Sequence, residues 1–412
     1  MPAGARLHDW LSSMSWRPHA VIALAGAAAS VGALAQQEES TSWLPRPQVI
    51  LAPSTAAEPS GPMSAVKLIE DMDRKAPKSD SDEHGNWVIA PLPFRNELLG
   101  IGIVVGAGYL YGAGENESNA RHSVAGAAGM YAEGGSWAAL AAHRGYWSEQ
   151  RFRSTVALAT GDLLYDIELE AGGEENKLSL KQEFSGAMLQ GAVRLGANGW
   201  LGAGFMRGTT DVGVRNSTPP FLEQLIPPAQ IAISNVLING EFDSRDNDLY
   251  PRTGHYAQVD GLVAREDLGA DSNYQSIELE WNGYWRFGED QVLAGRVAGK
   301  IVDGNPPFFA LAWFGSGVDL RGYTPGRYIG ESMVAVQAEW RWQATPRWGF
   351  VAFGGTGKVS GALGDIDTDP WLPAGGIGVR FRLTKALPLN MRADFAWGRD
   401  DSTFSLAVGE AF

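Results

Sequence analysis

The stretch MVAVQAEWRWQAT, residues 333–345, alternates between apolar and polar side chains along most of its length. Read with a period of two, Val334, Val336, Ala338, Trp340 and Trp342 share one face, and Gln337, Glu339, Arg341 and Gln343 share the other. A helical period scatters the apolar set and separates Glu339 from Arg341. A strand with one apolar, tryptophan-bearing face and one charged face suits a wall between lipid and a wet lumen. Residues 376–384 repeat the pattern, with Ile377, Val379, Phe381 and Leu383 opposite Arg380 and Arg382. So do residues 291–302, with Leu293, Val297 and Ile301 opposite Arg296 and Lys300.

Such runs recur at 98–110, 122–133, 136–146, 151–159, 162–170, 177–193, 199–212, 231–243, 255–266, 273–287, 291–303, 333–345, 347–357, 372–384, 388–398 and 402–412. They predict an all-β chain, a 16-stranded antiparallel transmembrane β-barrel, an even number as single-chain bacterial barrels require. Tight connections at Gly134-Gly135 and Thr160-Gly161 are expected on the periplasmic side, and the long ones at 213–230, 304–332 and 358–371 outside. Trp87 to Arg95 is either an additional strand or a lead-in.

Composition agrees. The chain has 52 glycines and 15 tryptophans but only 19% charged residues, which suits close-packed strands with aromatic rings at lipid–water boundaries. It has no cysteine, so disulfides, thiolate metal sites and cysteine nucleophiles are excluded together. The histidines His8, His19, His84, His122, His143 and His255 lack the spacing of a zinc site. No cofactor is implied, and the net charge of -14 argues against nucleic acid as a partner.

Residues 1–35 read as an export signal: Arg6 and Arg17 precede the apolar run Ala20 to Ala29, and Ala33-Leu34-Ala35 supplies a small-x-small cleavage pattern before Gln36. Residues 36–86 are rich in Pro, Ser, Ala and charge, with one possible short helix at Ser64 to Lys75, and are expected to form a mobile periplasmic tail. The barrel is expected over 87–412. Glycines such as Gly100, Gly102, Gly106 and Gly108 make Leu98 to Gly114 a strand in place of a spanning helix.

Between the eleventh and twelfth runs lies Phe314-Gly315-Ser316-Gly317-Val318-Asp319-Leu320-Arg321-Gly322-Tyr323, followed by Pro325-Gly326-Arg327-Tyr328. It resembles the Arg-Gly-Phe/Tyr signature of the BamA/TamA (bacterial surface antigen) family of outer-membrane barrels. In that family the sixth outer loop folds back into the barrel and pins its arginine to the inner wall, and here too the loop is the sixth outer one by strand count. Asp243-Ser244-Arg245-Asp246 with Pro251 and Gly254 resembles the family's Asp-x-Arg-Asp…Pro-x-x-Gly segment, and Glu339 stands where the family carries a wall glutamate. Read without the resemblance, the segment 243–254 is a turn held by Asp and Asn side chains and stopped by Pro251. The family's Phe-x-Asp-x-Gly is Phe353-Gly354-Gly355-Thr356-Gly357, with a glycine for the aspartate, so Arg321 is expected to lean on Glu339.

The chain ends on Phe412, expected on one face of a final strand with Phe404, Leu406 and Val408. This resembles the terminal signal read by the barrel assembly machinery during biogenesis. The resemblance implies a barrel-only member located in the bacterial outer membrane, acting without catalysis in assembly or passage of protein or lipid. Its working parts would be a strained seam between first and last strands and a loop in the lumen. Its partners would be outer-membrane lipid and protein or lipid clients. The competing readings are a passive channel and a surface adhesin using the loops 213–230 and 358–371. An enzyme finds less support: there is no Gly-x-Ser-x-Gly elbow, and His122 and His143 lie in strands with no recognisable serine partner.

Overall fold

The computed structural model describes residues 86–111, 123–171, 174–218, 229–315, 319–361, 370–383, 388–399 and 401–412. The expected signal segment, and the tail up to residue 85, lie outside them. Among the described residues eighteen strands follow one another: β1 (Asn86–Asn96), β2 (Gly100–Tyr111), β3 (Ser123–Ala132), β4 (Trp137–Trp147), β5 (Phe152–Ala171), β6 (Glu174–Leu195), β7 (Gly199–Thr218), β8 (Ala229–Asp243), β9 (Gly254–Ala264), β10 (Tyr274–Phe287), β11 (Gln291–Gly304), β12 (Ala312–Phe314), β13 (Tyr328–Gly330), β14 (Ser332–Trp342), β15 (Trp348–Ser360), β16 (Leu372–Arg382), β17 (Asn390–Trp397) and β18 (Ser402–Val408). All but β12 and β13 form one closed antiparallel barrel of sixteen strands in which β18 returns to β1. The pair β12–β13 is a separate small hairpin within the connection from β11 to β14.

The strand count matches the sequence expectation through two differences that offset each other. Trp87 to Arg95 is a wall strand, β1, paired with β2 along its whole length. The runs 151–159 and 162–170 are one continuous strand, β5, so Thr160-Gly161 is no turn. Gly161 lies where a side chain would strike the Trp137 carbonyl and the Phe184 ring, so it serves close packing between neighbours. Gly134-Gly135 does turn the chain, but with β1 counted it sits on the outer rim and not the periplasmic one. β7 runs on to Thr218, into the expected long loop, and β18 stops at Val408 instead of reaching 412.

β1 begins and β18 ends at one rim, assigned as the periplasmic one because long connections such as 305–331 are expected outside. The longest connection, 305–331, then leaves the opposite rim as the sixth outer loop. Strands β5, β6 and β7 have 20, 22 and 20 residues, about twice the 9–11 or so that cross a bilayer. Their outer halves therefore rise past the last pairing with β4, at Trp137↔Asp162.

Alternation sorts the two faces as expected. Trp147, Trp285, Trp342 and Trp348 are exposed near the periplasmic rim, and Tyr131, Trp137 and Trp397 near the outer one, as two interfacial girdles. The inner face is uneven. On β2–β7 it carries mostly apolar side chains such as Val104, Leu140, Leu180 and Met206, whereas on β10–β17 it carries Glu280, Arg296, Glu339, Arg341, Arg380 and Asp394. Val336, mid-strand on β14, faces outward and is 41% exposed. Val336→Arg should lower stability in lipid by about 2–4 kcal/mol, against about 0–1 kcal/mol for Trp348→Arg at the rim. Equal losses in urea titrations of the two reconstituted variants would contradict this membrane placement.

Candidate functional site: the loop lock and the seam

Loop six enters the barrel and presents its tip to the charged half of the wall. Arg321 donates from Nη1 to Asp394 Oδ2 of β17 at 2.8 Å and from Nη2 to Glu339 Oε2 of β14. Its guanidinium lies over the Phe353 ring of β15, 3.6 Å from the centroid. Gly322 has φ +112°, and a Cβ there would meet the Trp397 backbone, so only glycine brings the loop this close to β17. Tyr323 donates its hydroxyl to the Pro373 carbonyl at 2.6 Å and accepts from the Arg399 amide at 3.1 Å. The three residues of the motif thus tie the loop to β14, β15, β16 and the end of β17.

The aspartate missing at 355 has a substitute. Asp394 supplies the second carboxylate, and Gly355 leaves room for Leu320, whose Cδ1 lies 2.7 Å from where a Cβ would sit. Arg321 therefore leans on two wall acids and not on Glu339 alone. Asp394 also accepts from Arg380 at 2.5 Å and Arg392 at 2.9 Å, while Glu339 accepts from Arg341 at 2.7 Å. These groups are nearly all without solvent contact, so each charge relies on its partners for solvation.

Phe412 is not on the lipid face with Phe404. Gly409, at φ +104°, turns the chain inward, and Glu410, Ala411 and Phe412 lie inside the barrel. Glu410 accepts from Arg380 Nε and Asn390 Nδ2, both at 2.7 Å, and Arg341 Nη2 donates to the Phe412 carbonyl at 2.7 Å. The Phe412 ring packs with Tyr284, Val292 and Ala294, under the guanidinium groups of Arg296 and Arg341.

A second anchor holds loop six from across the lumen. Trp313 of β12 is fully buried, with its ring 6.2 Å from Tyr165 of β5 and 6.0 Å from Phe308. It belongs to the apolar cluster that includes Ile167, Leu178 and Leu180, on the outer halves of β5 and β6. Gly326 lets the loop approach Ile167, which a Cβ would meet at 2.8 Å. The overlong strands thus back the loop that fills the outer mouth.

The segment 243–254 forms a cluster of its own at the periplasmic end of β8 and β9. Arg245 donates from Nε and Nη2 to the Asp243 carboxylate at 2.8 and 2.6 Å, pairs with Asp248 at 3.4 Å, and lies 4.6 Å over the Tyr256 ring. Asp246 accepts the amides of Arg252 and Thr253. Pro251 is buried, and Gly254, at φ +95°, passes close under the Ser244 carbonyl. This arrangement shapes a turn.

The wall closes weakly in one place. β1 and β18 share a single paired position, Arg95↔Leu406, whereas β1 and β2 pair over eleven. Pro91 and Pro93 have no amide hydrogen, and because the β1–β2 pairing runs through both, the missing donors fall on the seam side. Side chains stand in for the ladder near the outer rim. Arg95 Nη1 donates to the Phe404 carbonyl at 2.8 Å, and the Phe404 amide donates to Glu97 at 2.9 Å.

Asp394 and the latch residues Arg95 and Glu97 were not singled out in the sequence, and Phe353 was read only as part of the Phe-x-Asp-x-Gly segment. Alternation in NMRADFAW places Asp394 inward, but nothing local marks it as the acid that meets a loop 73 residues away.

Residues 232–412, which include the last eight wall strands and most of β8, match the Omp85 superfamily domain. Among solved structures the chain resembles BamA from Haemophilus ducreyi lacking POTRA domains 1–3, at 14% identity and TM-score 0.58, covering 84% of this chain and 78% of that one. It also resembles CdiB from Acinetobacter baumannii, at 10% identity and TM-score 0.52, covering 79% of this chain and 60% of that one. CdiB from Escherichia coli gives 8% identity and TM-score 0.51, covering 79% and 63%. No curated protein matches the chain by sequence.

Proposed function

We propose that this Omp85-superfamily barrel of the bacterial outer membrane works at its seam, moving protein or lipid between periplasm and membrane without a catalytic step. The observation that carries the reading is the contrast between a closed, fifteen-fold paired wall and one junction of a single pair. A strand edge left without a ladder is a template for another chain, and the seam opens that edge toward the lipid. Loop six lies in the lumen, held from two walls, which favours a lateral route over an axial one. The signal segment, the periplasmic tail and the reading of the chain's end by assembly machinery belong to the same proposal.

Because the chain has no cysteine, Arg95→Cys with Leu406→Cys introduces a single possible disulfide across the seam. In cells depleted of the native protein, a census of outer-membrane proteins and lipids should show a loss that the native chain reverses. The oxidised double variant should not reverse it, and reduction should restore activity. Full complementation with the seam locked, or a steady ion-selective current from the native protein in planar bilayers, would favour the passive channel instead.

A further inference from the structure

The strands that border the seam differ in reach. With Arg95 opposite Leu406, the last residue of β18, Val408, falls opposite Pro93. Residues 86–92 of β1 therefore run on toward the periplasm past the end of β18, while Glu410 to Phe412 lie inside the lumen beyond the turn at Gly409. Those seven residues are more than half of the 9–11 or so with which a tilted strand crosses a bilayer. Over that length β1 is paired with β2 alone among the described residues.

The free edge is poor in donors. Backbone groups facing the seam recur at every second residue from Arg95, at Pro93, Pro91, Ile89 and Trp87. The two nearest to β18 are prolines, which offer carbonyls and no amide hydrogen. A strand laid along this edge would leave two of its own carbonyls unmet inside the membrane, where no water replaces the lost donor. An open edge templates strands in general, and prolines placed on it turn them away. Hydrocarbon makes no such demand.

The side chains favour hydrocarbon as well. From Trp87 to Phe94 the sequence WVIAPLPF has no charged or hydrogen-bonding aliphatic side chain. Trp87, Ile89, Pro91 and Pro93 are exposed on the outer face, and Leu92 and Phe94 are buried on the inner one. Behind Leu92, Val104, Leu110 and Val124 continue the apolar inner surface, in one cluster with Leu389 and Val408 from the other side of the seam. Where the ladder is missing, the two lips are thus joined by apolar packing. Lipid tails are as apolar as leucine, so an acyl chain can replace such packing without breaking a hydrogen bond.

We propose that the cargo of this seam is lipid: an acyl chain of a membrane phospholipid enters between β1 and the end of β18, in the periplasmic half of the wall, and lies against Leu92 and Leu110, while Pro91 and Pro93 exclude client strands. The inference rests on the seam reading above and narrows its cargo from protein or lipid to lipid.

The test uses the full chain reconstituted in liposomes with a trace of phosphatidylcholine that carries a diazirine in its acyl tail, the labelled residues being mapped by mass spectrometry after illumination. Outward residues label in any case, so the inward ones decide. Leu92 and Leu110 should label severalfold more than Met188 and Met206, which are as deeply buried on β6 and β7. A benzophenone-tagged peptide copying residues 402–408 is the strand probe. Native β1 should capture little of it, and Pro91→Val with Pro93→Val, which restores two edge donors, should capture severalfold more. Pro93→Val alone serves if the double variant does not give the heat-modifiable barrel on gels. Labelling of Leu92 and Leu110 no greater than that of Met188 and Met206 would overturn the proposal, and so would a folded variant that captures the peptide no better than the native chain. The seam reading is judged separately, by complementation with the seam locked: a lock that blocks rescue, without inward lipid labelling, would mean a working seam whose cargo is not lipid.

Discussion

Glu339→Ala should destabilise the barrel more than Arg321→Ala, although the two residues form one ion pair. The central cluster holds the cations Arg321, Arg341, Arg380 and Arg392 against the carboxylates Glu339, Asp394 and Glu410. Removing Arg321 leaves Glu339 with Arg341 at 2.7 Å and Asp394 with Arg380 and Arg392, so no carboxylate is stranded. Removing Glu339 takes a carboxylate from three arginines at once and leaves an excess of buried positive charge. Breaking a buried pair in that way costs about 3–5 kcal/mol. The arginine truncation should lie nearer the ~1–3 kcal/mol of a lost charged hydrogen bond. Because the residues share partners, the double variant should lose less than the sum. Urea titrations followed by tryptophan fluorescence in one detergent give all three values. Equal single losses that add in full would show that the contact contributes little.

The second large effect concerns the outer mouth. Arg321→Ala alone should leave loop six in the lumen, because Trp313 still holds it to β5 and β6. Trp313→Ala alone empties the largest apolar anchor, at about 3–5 kcal/mol for a buried tryptophan, but leaves the ion pairs in place. Only the double variant removes the principal anchor at both ends, leaving the hydrogen bonds of Tyr323 as the remaining tie. In planar bilayers the native chain and each single variant should pass little current with brief openings, and the double variant should conduct steadily. A fully open pore from Arg321→Ala alone would mean that the tryptophan anchor is idle. A closed double variant would mean that something other than these two contacts holds the loop.

The sequence by itself determined which face of each strand meets lipid. Side-chain alternation is a local property of extended backbone, so Val336, Trp340 and Ile377 could be assigned outward, and Glu339, Arg341 and Arg380 inward, without any partner in view. It placed loop six on the outer rim as well, but only because the uncounted β1 and the divided β5 offset each other before that point in the chain. It did not determine where strands stop. Thr160-Gly161 has the composition of a turn, yet the apolar inward set continues through Leu163, Tyr165 and Ile167, because packing against β6 and Trp313 outweighs a local glycine. Pro91 and Pro93 obscured β1, whose ladder is intact on the side of β2 alone. Tertiary structure decided everything that spans the lumen. Alternation says that Asp394 and Phe353 point inward, but which of them meets Arg321 depends on barrel closure and on the path of loop six. The inward turn at Gly409 depends on Arg341, Arg380 and Asn390 waiting for Glu410 and Phe412. Those contacts join residues 20 to 71 positions apart, beyond the reach of any local pattern.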